Sequence, residues 1–254
     1  MEDKPVSLQQ LFRRALKAQV DLGVGEMIVN RKQCQSHDEQ WTENLQVVKK
    51  VKTTTDLFAS LNQAEPPPQY NTVDEHYKGI CTCQLCPLGQ TRNKFVYGVG
   101  NPNADLIFVG EAPGRDEDLQ GEPFVGRAGQ LFDRILAAIG LKREQVYIAN
   151  ILKCRPPNNR DPQPEEMDKC LPHLEEQIRL IKPKLICALG RIAAHQLLQT
   201  NTPMAKLRGL WHDYEGIPFF VTYHPAALLR NPAYKKETWE DMQTLKARYD
   251  ELKS

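Results

Sequence analysis

Cys83 and Cys86 form a Cys-x-x-Cys pair whose thiolates can reach one metal centre, and Cys154 and Cys170, farther along the chain, can complete a set of four. Such a set suits a tetrahedral zinc ion or an iron–sulfur cluster. Zinc ribbons usually present two close pairs, and the wide gap between Cys154 and Cys170 fits the cluster somewhat better, so spacing alone leaves both open. Cys81 is a second candidate for the first ligand, and only the gap to Cys86 favours Cys83. Cys187, inside the apolar run LICALG, reads as a buried structural thiol, and Cys34 stands alone in a polar stretch. Seven cysteines in 254 residues are too sparse for a disulfide scaffold, which leaves ligation as the reading for those that cluster.

A second set of reactive residue types follows apolar runs. DLIFVG (105–110) leads into Glu111-Ala112-Pro113-Gly114, and QVYIANI (145–151) carries Asn150 and leads into Lys153-Cys154-Arg155-Pro156-Pro157-Asn158-Asn159-Arg160. KLICALG (184–190) is followed by Arg191, and FFVTYH (219–224) ends in His224-Pro225-Ala226-Ala227. Taken singly these are weak: a histidine before proline is commonly a hydrogen-bonded loop residue, and Glu117-Asp118 is commonly a solvated helix start. Their recurrence after four successive apolar runs is what counts.

The elements that must position them alternate. Helical patterns lie over RAGQLFDRILAAI, PEEMDKCLPHLEEQIRLI, RIAAHQLLQ and ETWEDMQTLKARYDEL, between short, near-continuous apolar strands. This predicts an α/β domain: a three-layer α/β/α sandwich with a central, mostly parallel four-stranded sheet. Function in such sheets gathers at the carboxyl ends of the strands, so the four polar segments should form one crevice. His173, His195 and His212 have no partner in the sequence and are assigned no role.

Ahead of this domain, residues 7–22 place Leu8, Leu11, Phe12, Ala15 and Leu16 at helical spacing behind a Ser7 N-cap. The stretch from about 30 to 75 is polar and contains Glu65-Pro66-Pro67-Pro68-Gln69, a semi-extended linker. The expected division is therefore 1–70, an amphipathic helix plus a partly disordered linker able to recruit a repair or replication partner, and 71–254, the catalytic domain. Lys and Arg (33) nearly cancel Asp and Glu (32), so any nucleic-acid surface must be a local patch. No apolar run approaches the roughly 20 residues that span a bilayer, and the start lacks the layout of a signal peptide. A cytoplasmic monomer, without membrane association, is expected.

Five stretches together resemble the family 4 (type 4) uracil-DNA glycosylases: Cys-x-x-Cys-Pro-Leu, GVGNPNADLIFVGEAPG, EDLQGEPFVGRAGQLFDRIL, YIANILKCRPPNNRDP and YHPAALLRNP. The likeness runs from about residue 78 to the C-terminus. It implies an enzyme that flips uracil out of DNA and hydrolyses its N-glycosidic bond to begin base excision repair, and a [4Fe-4S] cluster on Cys83, Cys86, Cys154 and Cys170 in preference to zinc. Phe124 then corresponds to the ring on which uracil stacks, Asn150 to the amide that reads its Watson–Crick edge, and His224 to the donor at its O2, with the backbone of Glu111 and Ala112 beside that oxygen. Glu117, Glu111 and Asn159 are the candidates for positioning water, in that order. Leu229 and Arg230 resemble the family's wedge loop, and Arg155, Arg160, Lys206 and Arg208 are candidates for phosphate contacts.

The alternatives are a relative that holds uracil-DNA tightly or covalently and a DNA-binding module that has lost its chemistry. The first carries Gln in the opening motif and a basic insertion ending in a His nucleophile, whereas this chain has GEAPG and an uninterrupted PPNNRDPQP. Asn150, Phe124 and His224 argue against the second.

Overall fold

A computed structural model describes residues 69–253, which belong to a compact unit beginning at Pro68. The helix expected at 7–22 and nearly all of the polar linker lie outside the described residues. Six strands form one sheet: β1 (Val99–Gly100), β2 (Leu106–Gly110), β3 (Tyr147–Asn150), β4 (Leu185–Leu189), β5 (Trp211–Tyr214) and β6 (Ile217–Thr222). Nine α-helices accompany them among the described residues: α1 (Val73–Ile80), α2 (Leu88–Thr91), α3 (Arg115–Gln120), α4 (Arg127–Ala138), α5 (Pro164–Ile181), α6 (Arg191–Leu198), α7 (Met204–Leu207), α8 (Pro225–Arg230) and α9 (Tyr234–Glu251).

The strand order is β1-β3-β2-β4-β6-β5. The four inner strands are mutually parallel and are those the apolar runs predict. The expected four-stranded sheet is corrected to six, because β1 and β5 add an antiparallel strand at each edge. Their signals are faint for physical reasons. Strand β1 has two residues and itself ends in glycine, and β5 alternates exposed and half-buried positions without an apolar run.

Alternation along the inner strands feeds two cores. Ile107 and Val109 pack with Leu174 and Ile178 of α5 and Ala193 and Leu197 of α6. Leu106 and Phe108 pack on the other face with Phe132 and Leu136 of α4 and Met242 and Leu245 of α9. These residues are buried, and each large apolar side chain removed from water stabilises the fold by about 1.5–3 kcal/mol. The result is the three-layer sandwich, with all four inner strands ending on one side.

One buried polar cluster ties α9 to the sheet. Asp241, 2% exposed, accepts from Arg208 Nη2 at 2.5 Å and from Thr222 Oγ1 at 2.7 Å. Arg208 also donates to the Glu237 carbonyl and stacks on the Tyr223 ring. The guanidinium of Arg208, a candidate for phosphate contact, is placed on these internal partners. Asp241→Ala strands that cation, and a loss of roughly 3 kcal/mol in unfolding free energy is expected from urea denaturation. A loss under 1 kcal/mol would contradict the assignment.

Candidate active site

The site starts from a register. In the parallel pairing of β2 and β3, Gly110 lies opposite Asn150. A Cβ on Gly110 would collide with Asn150 Oδ1 and come within 2.7 Å of the Phe124 ring. Only a bare backbone at this strand end leaves room for both side chains. They line a cavity of about 430 Å³ together with Glu111, Glu117, Asn159 and His224. Asn150 is 3% exposed, and its Oδ1 is buried without a hydrogen-bond partner. Leaving such a carbonyl unsatisfied costs about 1–3 kcal/mol, which a ligand N–H can recover.

Phe124 holds its ring there at a backbone cost. Its φ is +56°, in the left-handed region that non-glycine residues avoid. Three features hold it. Glu117 accepts from the amides of Gly114 (3.1 Å), Val125 (2.9 Å) and Gly126 (2.8 Å). Arg143 donates to the carbonyls of Pro123 (2.7 Å) and Phe124 (3.1 Å). Gly129 of α4, where a Cβ would strike the Phe124 carbonyl, lets the loop pass close by. Glu117 is thus a cavity-wall residue whose carboxylate fastens the Phe124 loop. Its neighbour Asp118 is buried and accepts from the amide of Asn93 (2.9 Å), so this pair is no solvated helix start.

His224 is fixed by the helix it caps. It is the N-cap of α8, with Pro225 at the first helical position, and its Nδ1 accepts from the Ala226 amide at 3.1 Å. An accepting Nδ1 places the ring proton on Nε2. Burial pushes the imidazole down to about 4, and the charge of Arg230 adds to this, so the ring is a neutral donor. The ring lies 5.3 Å from that of Phe124, centroid to centroid. Glu111, at the end of β2, also lines the cavity. Its carboxyl is raised to about 7 by burial, with Asp161 adding and Arg191 and Arg230 opposing.

The sulfur centre lies behind this wall. Cys154 and Cys170 are buried and pack with Leu88 and Leu152, against half-buried Cys86 and Ala112. Two donors point at sulfurs, Arg92 Nη1 at Cys154 and the Lys153 amide at Cys170, and His173 Nε2 lies beside Cys83 Sγ, each at 3.3 Å. Cys81 turns elsewhere, its Sγ 3.6 Å from the Lys78 carbonyl. The sulfurs of Cys86, Cys154 and Cys170 around one apolar compartment, two of them met by N–H donors, fit a thiolate-ligated group. Among the described residues no group of three Cys, His, Asp or Glu side chains converges as a single-ion site.

A family model described as the uracil DNA glycosylase superfamily matches residues 97–243. A type-4 uracil-DNA glycosylase of Archaeoglobus fulgidus is 45% identical over 182 residues, covering 68% of this chain and 92% of the relative. The chain belongs to the type-4 uracil-DNA glycosylases. Type-4 enzymes of Saccharolobus solfataricus and Thermotoga maritima are 46% and 43% identical, covering 80% and 88% of their own lengths and 65% of this chain in each case. In this glycosylase-family chain the superfamily match holds every cavity residue, whereas Cys83 and Cys86 precede it.

Around the mouth, Leu229 is 40% exposed, Lys206 is exposed, and Arg230 lines the cavity. Arg155 donates to Asn159 Oδ1 at 2.7 Å, and Arg160 forms a two-pronged pair with Glu166 at 2.6 and 2.8 Å. The holding roles of Gly110, Glu117 and Arg143 leave no local mark in the sequence. They depend on backbone groups distant along the chain, although positive-φ demand at Phe124 and the close-packed Gly129 explain the Gly-rich run GEPFVGRAG.

The depressed His224 predicts a pH effect. Its folded value lies below the ordinary 6.5, so the stability it confers is complete above 6.5 and is lost as pH falls toward 4. His224→Asn keeps a side chain able to cap α8. Urea unfolding from about pH 7 to about pH 4.5 should show wild type losing stability relative to this variant, and a constant difference would refute the neutral ring.

Proposed function

We propose that this chain excises uracil from DNA, taking the flipped nucleotide into the cavity and hydrolysing its N-glycosidic bond to leave an abasic site. The observation that carries the reading is the orphaned Oδ1 of Asn150, set beside the Phe124 ring and the His224 donor. Uracil offers N3–H to that oxygen and O4 to the amide NH₂ beside it. Cytosine presents the two groups in reverse order, which would leave buried groups unpaired and supports rejection by orders of magnitude. Phe124 supplies a flat apolar face for either pyrimidine.

As the bond breaks, the sugar becomes cationic and uracil leaves as an anion with charge on O2. His224 Nε2–H donates to that oxygen and keeps its proton, since a neutral imidazole is far too weak an acid to give it up. The backbone of Glu111 and Ala112 lies on the same side. Glu111 is the group we assign to orienting water and facing the cationic sugar, with Asn159 beside it; Glu117 holds the Phe124 loop. Leu229 and Arg230 wedge into the space left by the flipped base, and Lys206, Arg155 and Arg160 contact phosphates.

Cys83, Cys86, Cys154 and Cys170 would hold a [4Fe-4S] cluster, whose contribution is structural: it fastens the Cys154–Asn159 loop against α5. A zinc ion at about 2.3 Å from each sulfur needs the four within about 3.8 Å of one another. The wide sequence gap between Cys154 and Cys170 supports the cluster over a zinc ribbon, whose ligands usually come as two close pairs. Apo protein is expected to lose activity together with the order of this loop.

The test is incubation with a labelled oligonucleotide containing one uracil, then alkali to cut abasic sites. Turnover is expected, with His224→Ala lowering the rate by about 10²–10³ and Asn150→Ala by a similar factor. Gly110→Ala should do likewise, because its methyl would meet Asn150 Oδ1 and the Phe124 ring. No cleavage, or a stable protein–DNA adduct, would move the assignment to the binding alternatives. Activity should also fall as pH drops through about 7 and Glu111 gains its proton. That limb should vanish in Glu111→Gln; its persistence would return the role to another group.

A further inference from the structure

Lys153 is a lysine with 0% exposure, and its surroundings are unusual for an ammonium. Nζ donates to the Asn150 carbonyl at 2.9 Å and to Gln177 Oε1 at 2.5 Å. Both acceptors are neutral, and no carboxylate is among its hydrogen-bond partners. Gln177, itself fully buried in α5, passes the chain on through its amide to the Tyr97 carbonyl and the Tyr147 hydroxyl. The same residue also meets the cysteine centre: the Lys153 amide donates to Cys170 Sγ, and Cys154 follows it in the chain. A buried donor that leaves its acceptors finds no water to replace them, so Nζ is held on the Asn150 carbonyl.

We propose that Lys153 is a positioning residue that ties the base-reading Asn150 to the cysteine centre. Its Nζ pins the carbonyl of Asn150, fixing where that residue's amide points, while its backbone amide is held at Cys170 Sγ. The same residue therefore carries any displacement of the cysteine centre to the pocket floor. This deepens the uracil-excision reading and rests on it.

Binding separates positioning from mere support. Full-length Lys153→Met, purified with its iron content and thermal midpoint measured, is compared with wild type on two duplexes. One carries a non-hydrolysable 2′-fluoro-2′-deoxyuridine and the other a tetrahydrofuran abasic analogue, which offers no base to Asn150. The expected result is at least tenfold weaker binding of the uracil duplex and binding of the abasic duplex within about twofold of wild type. Equal weakening of both, or of neither, overturns the proposal. Should Lys153→Met fail to fold, Gln177→Leu, which removes one of the two acceptors, decides by the same selective or unselective loss. Wild-type excision of ordinary deoxyuridine is measured alongside. Its absence sinks the functional reading itself, whereas its presence with an unaffected Lys153→Met sinks only the role of Lys153.

Discussion

The site depends on one steric constraint: Gly110, at the end of β2, has no side chain and stands in register with Asn150. Parallel pairing of two buried strands brings the amide to that point, and the missing Cβ lets the amide and the Phe124 ring share it. Everything else serves to keep these two groups still. Glu117, Arg143 and Gly129 hold the strained Phe124 backbone, and Lys153 grips Asn150 from below. A pocket built this way meets its ligand already ordered, so little binding energy is spent on arranging it.

Much of this was legible in the sequence. The four inner strands could be read because they are covered on both faces and therefore apolar throughout, and the polar residues after them do converge on one crevice. Glu111, Phe124, Asn150, Asn159 and His224 line one cavity. Partnership was not legible. Nothing local marks Arg208 as the mate of Asp241, or shows that the carboxylate of Glu117 is taken by three amides. Lys153 reads as one more base in a Lys-Cys-Arg run, yet it is wholly buried. His173, assigned no role, lies beside Cys83. The Arg208–Asp241 and His173–Cys83 contacts join residues distant in the chain, and the rest depend on how the loops fold back, so composition carries no record of them.

The protein thus has two polar centres separated by one thin wall. On one side an amide lacks a donor, and on the other cysteines gather around an apolar compartment. The wall is the Asn150–Cys154 segment, whose residues from Asn150 to Cys154 are all buried. Disturbance on either side must pass through it.

The two antiparallel edge strands have a consequence for how copies of the molecule meet. A parallel sheet cut open at its sides would offer long rows of unpaired amides and carbonyls to any neighbouring strand. Here one border is β1, two residues long and itself ending in glycine, and the other is β5, four residues long with polar side chains interspersed. Borders this short give a second chain little template to extend, which guards against edge-to-edge aggregation in a molecule whose inner strands are strongly β-forming and apolar.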